Sequence, residues 1–297
     1  MFDLAGALAS FGGGVFGAAI GGLFSSVLTG LVVIAGVAAS YFQDLSPAQA
    51  MISQVAFGPW LGPHIAFAGS VAAACYAAKK RLLKTGKDIV TPLAKFNDPG
   101  VLAVGGVFGV LGYVIEGWFT ALNLPTDTVF LTVVVSGIIA RWLILAEGPL
   151  GTLPPELEKE AGAGNLWGRF IVTDTHVWLP YQKDLPQLLI LGFGIGAASA
   201  AATLYTGSSV IGFGITAFAL IFFINLGGAP VGHHIALLAA VAADLTANVL
   251  IGALWGILGA LIGELAARLF LNWGESHIDP PATAITVCTT LALLLMG

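Results

Sequence analysis

His64 and His234 are the residues with the clearest chemical promise in this chain. His64 stands in Gly62-Pro63-His64-Ile65-Ala66 and His234 in Gly232-His233-His234-Ile235-Ala236, an offset of 170 residues. Each follows a glycine at the expected start of an apolar helix. A helix start offers free N–H groups and the positive end of the helix dipole. A neutral imidazole there can hydrogen-bond a solute, relay a proton or ligate a metal. His233 points about 100° away from His234 on the same helix and joins the set as its neighbour.

Carboxylates supply the second group. Asp127 and Asp279 each precede an apolar run, and Pro280-Pro281 follows Asp279. Their local role is to cap a helix, with proline at the favoured first position. If those helices begin inside a cavity, the same carboxylates meet a cation or proton. Glu116 and Asp244 fall within apolar stretches, where ionisable groups are expensive and mark functional sites. Glu264 has Arg268 four residues on, the favoured orientation for a helical ion pair. Arg141 reads as a side chain reaching from its helix to the membrane surface. Asn225 precedes Gly227-Gly228-Ala229-Pro230, and Gln54 precedes Gly58-Pro59. These paired Gly/Pro breaks, with the histidines that follow them, point to a solute path.

The elements that position these residues are helices in lipid. Of the 297 residues 57% are hydrophobic and 9% are charged, so the surface is too apolar for water. Backbone groups in lipid are satisfied only in helices or closed barrels. Apolar blocks of helical length fall at about 12–40, 48–62, 64–79, 100–122, 128–146, 186–206, 208–226, 233–248, 250–272 and 281–296. The block 48–62 is the weakest and reads as short, broken or re-entrant. Cys75 and Cys288 lie in apolar stretches and read as packing residues.

The two halves resemble each other. Besides the histidine motif, Gly105, Gly109 and Gly112 recur as Gly252, Gly256 and Gly259 at an offset of 147, with Leu111/Leu258 and Ile115/Ile262 in the same frame. Glycines at i, i+4 and i+7 share one helix face and let a neighbour approach closely. The expected fold is therefore an all-α polytopic membrane protein of about ten transmembrane segments. It comprises two inverted five-segment repeats, residues 1–146 and 186–297, joined by a linker at 147–185. Loop 79–99 holds six of the eleven Lys and Arg residues. The positive-inside rule places it in the cytoplasm. Counting helices puts the linker there too and the N-terminus outside. The absence of a signal-peptide pattern and the compact loops fit a prokaryotic plasma membrane.

The expected function is a channel or secondary transporter for a small solute or ion, a cation or a proton-coupled solute, with its site at the paired broken helices. The expected partners are the lipid bilayer, the solute and further copies of the chain. No polybasic arm suggests nucleic acid, and no motif calls for a cofactor. Two other readings stay open on the sequence: a non-transporting subunit of a larger membrane complex, and a membrane-embedded metal-dependent enzyme. The second lacks a metal-binding spacing.

Overall fold

The computed structural model describes residues 3–42, 45–161 and 166–297; residues 162–165 of the expected linker lie outside the described residues. The described chain is helical, and its one extended pairing is an isolated bridge between Gly86 and Ser276. Five helices are long and apolar enough to cross a membrane: Gly22–Ala39 (α2), Pro99–Ala121 (α5), Thr128–Leu145 (α6), Leu185–Thr206 (α8) and the continuous Val249–Leu271. In the last of these, α12 (Val249–Ala266) runs on through a π-helical turn, Ala267–Leu271. Shorter apolar helices stand among them: Leu4–Ile20 (α1), Ala68–Lys79 (α4), His233–Thr246 (α11) and Pro280–Met296 (α13), with α9 (Ile211–Phe218) and α10 (Leu220–Leu226) forming one more rod. Two further helices, α3 (Leu45–Ala50) and α7 (Pro155–Ala161), are a turn or two long.

Helix starts follow their caps. Asp98 accepts from Gly100 and Val101 N–H ahead of Pro99, and Asn248 accepts from Leu250 and Ile251 N–H. Asp127 caps α6 through Phe130 N–H, and Asp279 caps α13 through Ala282 N–H. Two expected segments are redrawn. The block 12–40 is two helices, because Gly21 takes φ +95° and turns the chain. Its neighbour Leu23 then donates its N–H to Ile89 O across the turn. The block 48–62 is no span: α3 passes into a π-helical turn, Met51–Ala56, and then an irregular stretch whose Leu61 carbonyl accepts from Thr29 Oγ1. The helix expected at 64–79 starts there, as a π-helical turn Pro63–Phe67 leading into α4.

The glycine triplets are helix contacts. α1 packs along α5, and α8 along α12. A β-carbon at Gly109 would overlap Ser10 O and crowd the Gly14 backbone; one at Gly256 would meet Gly192 O and the Gly196 backbone. Gly109→Val and Gly256→Val are therefore each expected to destabilise the protein by about 2 kcal/mol. Gly194→Ala, which meets nothing within 4 Å, should be silent. Thermal denaturation in detergent micelles reads all three, and a silent Gly109→Val would refute the packing.

The polar segments meet at one end of the bundle. Gly86 N–H bonds Glu275 O, His277 N–H bonds Gly86 O, and Thr152 N–H bonds Trp273 O. Trp273 Nε1 donates to Arg169 O. Glu264 and Arg268 form the expected ion pair at 2.7 Å, and Arg268 also donates to Phe170 O. Arg141 departs from expectation. It does not reach for the membrane surface: it is fully buried and donates to Ser276 Oγ, Ser276 O, Pro149 O and Phe270 O. Glu147 lies 3.7 Å from it. Both cysteines are free and buried. Large aromatic side chains are exposed on the outer surface, among them Trp118, Trp142, Trp167 and Tyr205.

Candidate functional site: a central cavity at mid-depth

A cavity of about 320 Å³ lies between the two halves of the chain. Helix α2 contributes Leu23, Ser26 and Thr29, and the start of the Pro63–Phe67 turn contributes Pro63 and Phe67. From the second half come Phe213, Ala217, His233, His277 and Asp279. Lys87 to Val90 of the first loop and Thr175 to Leu179 of the linker wall the end nearest the polar segments. The opposite end closes on aromatic rings: Phe130 and Phe213 line the cavity with centroids 5.8 Å apart, and Phe57 packs behind Phe213 at 5.5 Å.

Three helix starts lie well inside the bundle. The His64 carbonyl packs on Gly112, nine residues before α5 ends at Ala121. At 1.5 Å per residue that is about 14 Å in from the end of α5. The His234 ring packs on Gly263, eight residues before Leu271, at the end that carries the loops. That is about 12 Å in. Gly137 of α6 faces the His277 carbonyl and Ile278, eight residues before Leu145. The loop ahead of α13 therefore dips about 12 Å below the end of α6. Its lining pair is His277 Nε2 and Asp279 Oδ1, 3.0 Å apart, while Asp279 Oδ2 holds the cap on Ala282 N–H. The His277 ring also meets Phe67 edge-on at 5.9 Å.

Of the nine residues singled out on the sequence, two line the cavity. His233 is there, its ring edge-on to Phe213 and its Nδ1 without a partner. Asp279 is the other. His64 and His234 are buried in helix packing beside it, with His64 Nδ1 and both ring nitrogens of His234 unbonded. Asp127 is half-buried at the start of α6, near Glu116, whose carboxylate accepts from Thr120 and Thr128. That cluster stands apart from the cavity lining. Asp244 is exposed in the last turns of α11. Asn225 is exposed and bonds Ile221 O of its own helix, and the following Gly227 and Gly228 make a surface turn at positive φ. Gln54 is exposed on its π-helical turn.

Sequence reasoning passed over Lys87, Asp88, His176, Asn272 and His277, all of which line the cavity. His277 stood in the same Asp-Pro-Pro signal as Asp279 and could have been read with it. The others lie in loops that fold inward, which no local pattern reports. Asp88 is spent on its own loop, accepting from Val90 N–H, Thr91 N–H and Thr91 Oγ1. Among the described residues no three His, Cys, Asp or Glu side chains converge as a metal site.

The model of a family described as a family of unknown function (DUF7973) matches residues 1–153 and again residues 155–297. The chain belongs to that family. The boundary between the two matches falls in the polar stretch after α6, between the halves whose motifs recur. No curated protein and no solved structure matches the chain. The family brings no activity with it, so the cavity itself must carry the functional argument.

Proposed function

We propose that the protein is a membrane channel or secondary transporter for a small solute or ion, a cation or a proton-coupled solute, and that the central cavity is its site. The single observation that carries this is a cavity walled by both halves, with an imidazole–carboxylate pair at a helix start that lies inside the bundle. Solute sites of transporters lie at such helix starts near the midplane, between repeats. A volume of about 320 Å³ suits a compact solute.

We read the halves as inverted repeats, and contact-by-contact matches support this. Gly105 abuts Ala18 and Gly14, and Gly252 abuts Ala200. Gly17 packs on the Ala66 carbonyl, and Ser199 Oγ donates to the Ala236 carbonyl at 2.6 Å. Those positions share the offset of 182 in α1/α8 and 170 in the histidine motif. The buried helix start of the first half lies in from the Ala121 end of α5; that of the second lies in from the Leu271 end of α12. Mirrored starts from opposite faces are what an inverted pair produces. The two stretches matched by the family model, 1–153 and 155–297, divide the chain where these halves meet. In this reading each half crosses five times, through α1, α2, α4, α5 and α6, then α8, α9–α10, α11, α12 and α13. The polar loops face the cytoplasm and the N-terminus faces outside.

Purified protein in proteoliposomes, tested against a panel of inorganic ions and small organic solutes with and without a pH gradient, should carry at least one of them. No flux across the panel would sink the proposal. Phe213→Ala removes part of the aromatic closure and should raise flux several-fold; an unchanged rate would take that closure out of the path.

A further inference from the structure

We propose that the loop end of the cavity is a carboxylate subsite formed by Lys87 and the Asn272 side chain, and that the solute is a small organic carboxylate with an apolar body. The proposal rests on the transport reading and names its cargo.

The polar groups of the cavity divide into spent and unspent. Asp88 accepts three hydrogen bonds from its own loop, and Asp279 one on each oxygen, from His277 and from Ala282 N–H. Both lining carboxylates are thus already engaged in holding the fold. Lys87 is different. Its Nζ donates to the Asn272 carbonyl at 3.2 Å and, among the described residues, has no carboxylate within ion-pair distance. Asn272 is 3% exposed, lines the cavity, and bonds through neither its amide nitrogen nor its amide oxygen. Buried amides left unpaired are costly, and a native one calls for a partner.

The Lys87 ammonium, with N–H groups to spare, already sits on the Asn272 backbone carbonyl; a turn of the unpaired Asn272 amide toward the cavity would complete a donor pair, and a carboxylate accepts from both. The remaining amide oxygen suits a hydroxyl or amine on the same solute. Leu23, Val90, Trp178, Leu179 and Phe223 line the cavity and offer apolar surface for its body. Burial holds the Lys87 ammonium below the ordinary lysine range of 10.5, opposed by Glu275 and Glu147 and assisted by Arg141. A bound carboxylate offsets that burial. Glu147 is itself engaged by Arg141 and by Glu275 N–H, and Glu275 is exposed. The other titratable groups facing the subsite are Asp88, His176, His233 and the His277–Asp279 pair.

The test is binding to the intact purified protein, read by thermal shift and isothermal titration with butyrate, benzoate and the neutral isostere butyramide. Butyrate and benzoate should bind and butyramide should not. Lys87→Met should weaken the carboxylates at least ten-fold, as should Asn272→Asp, which sets a like charge beside the ligand. Lys87→Arg keeps the charge and should retain most of the binding, which separates loss of charge from loss of fold. Equal binding by Lys87→Met, or no carboxylate binding in a protein that transports another solute, overturns the subsite and leaves the transport reading standing. Carboxylate binding in a protein that transports nothing leaves the subsite standing and removes the transport reading.

Discussion

Arg141→Met should destabilise the protein by about 3–5 kcal/mol, the scale for removing one partner from a buried charged network. The guanidinium is fully buried and ties α6 to the linker through Pro149 and to the segment ahead of α13 through Phe270 and Ser276. It also lies against Gly274, where a β-carbon would overlap it. Methionine fills much of the space but donates nothing, so the Ser276 and Phe270 carbonyls lose their partner. Both residues belong to the segment that carries His277 to the cavity. The expected result is a large fall in melting temperature in detergent. Arg141→Lys should recover only part of it, because one ammonium cannot reproduce a planar fork of donors. A melting temperature within a degree or two of wild type in Arg141→Met would show that the clamp does not hold the loop.

The second large effect is expected on flux. Asp279 has two tasks, one per oxygen: it caps α13 and holds His277. Asp279→Ser separates them, since serine is also a good cap but leaves the imidazole without its carboxylate. His277→Gln keeps a hydrogen-bonding side chain and removes the imidazole. In wild type, with Nε2 donating to Asp279, Nδ1 is the acceptor nitrogen available to a proton. Both variants should fold with melting temperatures near wild type and lose flux at least ten-fold, most of it in the component driven by a pH gradient. Wild-type rates in both would remove the pair from the mechanism.

What the sequence made legible follows the range of the interactions concerned. The caps at Asp127 and Asp279, the Pro280 start and the Glu264–Arg268 pair are settled within four residues, and all are found. The break at Gly21 was hidden because both sides of it are uniformly apolar; its turn is held by Ile89, far along the chain. Arg141 was misread for the same reason, with its partners at Phe270 and Ser276. His64 and His234 recur in sequence, yet each packs beside a glycine of the neighbouring helix, Gly112 or Gly263. The contacts differ, a backbone carbonyl on Gly112 and an imidazole ring on Gly263, so the shared motif does not give the two histidines one shared environment. The cavity takes His233 from beside that motif and Asp279 from a cap, and adds Lys87, Asn272 and His277 from loops that only the fold brings inward.

The most direct test of a solute path through the cavity is a single cysteine at Ser26. That residue lines the cavity from α2 and is only half-buried, while Cys75 and Cys288 are both buried and free. Ser26→Cys in proteoliposomes would be treated with a membrane-impermeant methanethiosulfonate from one side at a time, while flux is followed. Modification from the side of the polar loops alone, with flux falling in step with labelling, is the expected result. A thiol that is modified without any change in flux would contradict a path through this cavity.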